Sequence, residues 1–216
     1  MNDINRTESR PEYDDVARAL GRLLVERGLR QGERTVVGVA GESGSGKSVT
    51  AAGLARVLSA GGFPALVLHQ DDYFHLPPRA NHLARERDIG RVGPGEVNLA
   101  LMQSHIAAFR DGCDELVGPS VNYPADRFDT RRIALRSASV LIVEGTYVLG
   151  LEHLDTRIFL EASFLDTLPR RRERARDVDS PFVERVVALE HQIVVRQAAL
   201  ADLLVDAHFA VRSAVS

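Results

Sequence analysis

Gly41-Glu42-Ser43-Gly44-Ser45-Gly46-Lys47-Ser48 follows the apolar run Val36-Val37-Gly38-Val39-Ala40 and leads into Val49-Thr50-Ala51-Ala52-Gly53-Leu54-Ala55-Arg56-Val57-Leu58. The apolar run reads as a strand buried on both faces, and the stretch after the loop reads as a helix. Between them the glycines permit backbone conformations that a Cβ would block, so successive N–H groups converge on one concavity. The first turn of the helix adds its own unpaired N–H groups and the positive end of its dipole. Such a loop holds phosphate. Gly41, Ser43, Gly44, Ser45, Gly46, Lys47, Ser48 and Val49 are the expected nucleotide-binding residues, with the Lys47 ammonium reaching the β- and γ-phosphates and the Ser48 hydroxyl on Mg²⁺.

Working outward, residues 1–12 read as a flexible tail, and Val16, Leu20, Leu23 and Leu24 mark one face of a helix from Tyr13 to near Gly28. On the other side of the loop the helix stops at Gly61-Gly62, and Ala65-Leu66-Val67-Leu68-His69 is a second strand. Gln70-Asp71-Asp72-Tyr73-Phe74 then lies at that strand's carboxyl end, where ligands sit in an open α/β sheet. An acid there can accept a proton from an attacking hydroxyl or help to hold a metal. Val140-Leu141-Ile142-Val143 is the most apolar run and predicts a central parallel strand, closed by Glu144-Gly145 with a carboxylate placed for a metal or its water.

Arg157 to Leu160 predicts the next strand. Asp166 can cap a following helix that carries Arg170, Arg171, Arg172, Arg174 and Arg176, guanidinium groups suited to the spread charge of a transferring phosphoryl group. Pro181 can begin another helix, with Val183, Val186, Val187, Glu190, Ile193, Val194 and Gln197 at helical spacing, and Leu203-Leu204-Val205 is a last short strand before a polar tail. From His75 to Gly95 no periodicity is clear, and Arg79, Arg85, Arg87 and Arg91 punctuate what reads as a functional cover loop in which one or two arginines contact an anionic or polyhydroxylic acceptor. Glu96 to Phe109 reads as helix, and Ser120–Pro124 with Arg132–Leu135 as two short strands of a hairpin.

With 216 residues, one domain over 13–208 is expected, with a cover and acceptor region at about 75–135 and a lid at about 166–180. No run approaches the roughly 18 apolar residues of a membrane span. Met1 to Asp15 lacks the apolar core of a signal peptide, so a cytoplasmic location is expected. Cys113 is the single cysteine, which excludes an intrachain disulfide, and the net charge of -3 gives no overall drive toward nucleic acid. A small-molecule phosphoryl acceptor is the expected partner, with no nucleic acid and no membrane; a homo-oligomer is compatible with the sequence.

In order along the chain, Val37 to Ser48, Gln70-Asp71-Asp72-Tyr73-Phe74, Val140 to Gly145, Glu173-Arg174-Ala175-Arg176-Asp177 and Ala201 to Val205 resemble the uridine kinase and phosphoribulokinase family of P-loop kinases. The resemblance implies a P-loop NTPase fold of the α/β class, a mainly parallel β-sheet flanked by helices on both faces. It also implies ATP and Mg²⁺ as cofactors, Asp71 as the catalytic base beside Lys47, Mg²⁺ held by Ser48 and Glu144 with Asp71 nearby, and a lid in which Arg171, Arg174 and Arg176 close over the phosphates. On the acceptor side it points to Asp71, Tyr73, Arg91 and Tyr123. Uridine kinases carry a ribose-holding Asp where this chain has Arg91-Val92-Gly93-Pro94, and Pro124-Ala125-Asp126-Arg127-Phe128 after Tyr123 departs from their pyrimidine-contacting segment. A nucleoside acceptor follows from the overall resemblance, whereas the basic cover and the missing ribose carboxylate favour a sugar phosphate or another polar metabolite. Outside the enzyme class stands a nucleotide-dependent switch; the chain has no Asn-Lys-x-Asp base-reading segment.

Overall fold

The computed structural model of the protein describes residues 11–163 and 181–214. It opens with α1 (Pro11–Glu26), then β1 (Thr35–Gly41), α2 (Lys47–Ala60) and β2 (Ala65–His69). The next segment holds α3 (Pro78–Arg87), two one-turn helices at Ile89–Arg91 and Pro94–Glu96, and α4 (Leu99–Arg110), whose first turn is capped by the Asn98 side chain accepting from Leu101 N–H. An antiparallel hairpin of β3 (Glu115–Asn122) and β4 (Arg127–Ala134) follows. β5 (Val140–Gly145), β6 (Thr156–Leu160), α5 (Pro181–Val194), β7 (Leu203–Val205) and β8 (Val211–Ser213) complete the described chain.

The main sheet runs β2-β5-β1-β6-β7-β8, parallel until β8 pairs antiparallel with β7. Its central strands are apolar on both faces because both faces are covered. Val37, Val39, Val140, Ile142, Ile158 and Leu160 share one core with Val16, Leu20 and Leu24 of α1 and Leu54 and Leu58 of α2. Their sequence neighbours Val36, Leu141, Val143 and Phe159 point the other way, into a second core with Met102, Ile106 and Phe109 of α4 and Val194 of α5. The period-two alternation thus sorts one apolar run into two helix-covered layers.

Two expectations need correction. The stretch from His75 to Gly95 is not irregular throughout: Pro78, whose missing N–H costs nothing at a helix start, opens α3. That helix buries only Asn81, so it shows no apolar stripe in the sequence. The polar tail after β7 also returns as β8, turning at Asp206, whose side chain accepts from the His208 and Ala210 N–H groups.

Ile142 is fully buried at the centre of the sheet. Ile142→Ala is expected to lower unfolding free energy by about 2–5 kcal/mol, read from the midpoint shift in urea at unchanged slope.

Candidate active site

The carboxyl ends of β1, β2 and β5 bring the site together. The loop after β1 needs glycine at position 46, where φ is +96° and a Cβ would lie 2.5 Å from the Tyr13 ring of α1. Within the loop Ser45 N–H donates to the Glu42 carbonyl, and the Lys47 ammonium donates to the same oxygen at 2.9 Å. No side chain caps the N-terminus of α2, which leaves its first N–H groups directed at the loop's concavity.

Register then delivers a carboxylate to this place. Glu144 pairs with Val39 of β1 on one side and His69 of β2 on the other. It follows Val140 and Ile142 on the face that α2 covers, so its carboxylate meets the start of that helix: Oε1 accepts from the Ser48 hydroxyl at 3.1 Å and lies 2.7 Å from His69 Nδ1. The next residue is glycine for a packing reason, since a Cβ on Gly145 would stand 2.3 Å from the Gln70 Cβ. That close approach lets Gln70 accept from Tyr147 N–H at 2.7 Å and fixes the turn Gln70–Tyr73 against β5.

The turn carries Asp71 and Asp72, and they do different work. Asp72 is buried and ties the hairpin down, accepting from Val121 N–H at 2.8 Å and from the Arg131 guanidinium at 2.9 Å. Asp71 reaches solvent at the rim and accepts from the Tyr123 hydroxyl at 2.9 Å. Crowding by the atoms behind it, then the Glu144 carboxylate, push the Asp71 pKa up, against the hydrogen bond from Tyr123 and the charges of Lys47 and His69. Burial opposes charge on Glu144 as well, but the hydrogen bond and charge of His69, with Lys47 and Ser48, hold its pKa below the ordinary range. Burial likewise opposes a proton on His69, yet Glu144, Asp72 and Asp71 more than offset it and raise that pKa.

Ser48 and Glu144 offer hard oxygen donors side by side, and among the described residues no cluster of three His, Cys, Asp or Glu side chains could enclose a metal. Such a sparse, oxygen-only donor set fits Mg²⁺, which keeps waters and shares phosphate oxygens. The raised pKa of Asp71 suits a proton acceptor better than a permanent metal ligand.

Lys47, Ser48, Asp71, Tyr123 and Glu144 therefore meet at one edge. Tyr73 does not join them: it is buried in the core and its hydroxyl lies 2.8 Å from His105 Nδ1. Gln70 to Tyr73 form a 3₁₀ turn, in which residues three apart share a face, so Tyr73 turns inward with the buried Gln70 while Asp71 faces out. Arg91 is exposed on its one-turn helix. Arg85 is not a cover arginine at the surface; its side chain is 15% exposed and lies between Glu96 and Glu190. Arg171, Arg174 and Arg176 fall outside the described residues, as does the rest of the expected lid.

Sequence reading missed several contributors. His69 carried a usable signal, a titratable residue closing a strand at the ligand edge. Glu190 carried another, a carboxylate on the otherwise apolar stripe of α5, where it is buried beside Val186, Val187 and Val194. Arg131 carried none, because its partner lies far away in the chain.

The His69–Glu144 pair makes a pH-dependent contribution to stability. The depressed Glu144 pKa contributes above the ordinary carboxylate value of 4.5 and fades as pH falls through the folded pKa. The raised His69 pKa contributes fully below 6.5 and fades as pH rises through the folded pKa. In metal-free buffer, the Tm difference between the natural protein and His69→Gln is expected to peak between these two values and to shrink on either side.

Similarity to known proteins agrees with this geometry. The chain is 30% identical over 186 residues to a bifunctional alpha-galactosidase/sucrose kinase of Mediterraneibacter gnavus, covering 80% of this chain and 20% of that protein. It is 30% identical over 158 residues to a uridine kinase of Proteus mirabilis, covering 68% of this chain and 73% of that one. The chain thus spans about a fifth of the first relative and about three quarters of the second. Among solved structures, one assigned as a fructose transport system kinase from Silicibacter sp. TM1040 superposes with a TM-score of 0.63 at 26% identity, covering 85% of this chain and 93% of that one. Across residues 36–179 the chain matches the pattern that defines the Phosphoribulokinase / Uridine kinase family, and it belongs to that family.

Proposed function

We propose that the protein is an ATP-dependent phosphotransferase that moves the γ-phosphoryl group to a hydroxyl of a small metabolite. The observation that carries this reading is the pairing, at one sheet edge, of a carboxylate held charged beside Ser48 with a second carboxylate, Asp71, whose pKa is raised. Two carboxyl groups whose environments push their pKa values apart are suited to different roles.

Backbone N–H groups of Gly44 to Lys47 and the Lys47 ammonium bind the phosphates. Ser48 and Glu144 would hold Mg²⁺, which when bound supplies charge neutralisation at the phosphate oxygens. Asp71 orients the acceptor hydroxyl and takes its proton as that oxygen bonds to the γ-phosphorus and the bond from phosphorus to the β–γ bridging oxygen breaks, leaving ADP. Tyr123 fixes one Asp71 oxygen and leaves the other for the acceptor. Arginines of the segment 171–176 complete the charge stabilisation in this reading.

Family resemblance and the uridine kinase relative make nucleosides the first acceptor class. A second reading, a sugar or sugar phosphate, is supported by the lack of a carboxylate in Arg91-Val92-Gly93-Pro94, the stretch comparable to the one in which uridine kinases hold ribose with an Asp, and by the relative named for sucrose kinase activity. Arg79, Arg87 and Arg91 are exposed on the cover and available to an anionic or hydroxyl-rich acceptor.

ADP release with ATP and Mg²⁺ is expected to rise at least tenfold with one member of a panel of nucleosides, free sugars and sugar phosphates. Hydrolysis indifferent to every acceptor would instead favour a nucleotide-driven switch. With the active acceptor, Lys47→Ala and Asp71→Asn are each expected to lower kcat by about 10²-fold or more; near-normal turnover in either would remove its assigned role. Tyr123→Phe removes a bond that lowers the Asp71 pKa, so the acid limb of its kcat/KM profile is expected to move to higher pH.

A further inference from the structure

Next to the phosphate loop lies a buried ionic cluster that the transfer chemistry does not use. Arg85 of α3 donates through Nε to Glu96 Oε1 at 2.6 Å and through a terminal nitrogen to Glu96 Oε2 at 2.8 Å. The same terminal nitrogen reaches Glu190 Oε1 of α5 at 3.1 Å. Glu96 also accepts from Asn81 and from Gly93 N–H, so it ties α3 to the one-turn helix Pro94–Glu96 of the cover. The side chains of Glu96 and Glu190 are 1% and 10% exposed.

Glu190 has a second attachment. Its Oε2 accepts from the Ser43 hydroxyl of the phosphate loop at 3.0 Å, and the next residue, His191, lies 2.6 Å from the Glu42 carboxylate. One carboxylate therefore spans the cover and the loop, one oxygen to each. The cover rests on α5 at two more points, with the His82 and Phe182 rings edge to face at 5.5 Å and Gly93 against the Ile193 side chain.

Burying one guanidinium with two carboxylates costs desolvation that apolar side chains of similar volume would avoid, so stability is a poor reason for the arrangement. What the cluster supplies is registry. We propose that Glu190 and Arg85 are positioning residues that couple the acceptor cover to the phosphate loop through α5, so that nucleotide held in the loop orders the cover over the acceptor site. This rests on the nucleotide-binding reading of the loop. Arg85 thereby acts through Glu190 and does not itself contact the acceptor.

Hydrogen–deuterium exchange on the full chain, with and without ATP and Mg²⁺, tests the coupling without knowledge of the acceptor. In the natural protein, nucleotide is expected to slow exchange in peptides covering residues 41–48 and, in the same titration, in peptides covering 78–97. Glu190→Ala removes both attachments, and Glu190→Gln keeps the side chain's length while removing the charge that faces Arg85. Glu190→Ala is expected to keep the slowing at 41–48 and to lose at least half of that at 78–97, with Glu190→Gln falling between. Cover slowing that is absent in the natural protein, or intact in Glu190→Ala, overturns the coupling; should Glu190→Ala not fold, undiminished cover slowing in Glu190→Gln overturns it instead. No slowing at 41–48 in the natural protein would show instead that the loop does not take the nucleotide, a separate failure that removes both readings.

Discussion

Parallel pairing of β1 with β5 is the constraint on which the site depends. With Val39 opposite Glu144 and Ala40 opposite Gly145, the acidic end of one strand is delivered beside the glycine loop that ends the other. Because side chains alternate, Glu144 shares the face of Val140 and Ile142 and emerges toward the start of α2. A slip of one residue would exchange the two cores and turn that carboxylate away from Ser48. The apolar content of β5 and the placement of its terminal charge are thus one requirement: the strand is held in register by burial on both faces, and the register aims the acid.

Within the site, chemistry is divided between carboxylates by their surroundings. Glu144 is deeply buried yet ringed by His69, Lys47 and Ser48, and remains an anion. Asp71 reaches solvent at the rim, but the atoms packed behind it and then the Glu144 charge oppose its ionisation, so a proton binds to it more readily. Asp72, adjacent in sequence, is spent on architecture, anchoring the hairpin through Val121 and Arg131. Three acids within one edge of one sheet are therefore set apart in proton affinity and attachment by their surroundings, without any difference in intrinsic acidity that matters.

Much of this was legible before any coordinates. The glycine loop, the strands ending in His69 and Gly145, and the helix from Pro181 follow from short-range rules about turns, apolar runs and helix starts, and the sheet follows from them. The placement of Asp71 and Glu144 at one edge was legible because parallel strand ends converge there whatever the loops do. Tyr73 was misread because its orientation depends on a core partner, His105, that only packing reveals. The burial of Arg85 was not legible, because a charged residue in a polar stretch ordinarily faces water, and here the carboxylates of Glu96 and of Glu190 on α5 enclose it. Pairings across dozens of residues leave no periodic trace in a sequence, and the Arg85–Glu190 bond that joins the cover to α5 is one of them.

The matched family region begins at residue 36, but the packed core does not. α1 buries Tyr13, Val16, Ala17, Leu20 and Leu24, and its tyrosine ring fills the space beside Gly46 that a side chain there would occupy. An evolutionary boundary drawn from shared sequence would thus pass through the middle of a packed layer. The shape of the glycine loop is supported by a segment outside the residues that match the family.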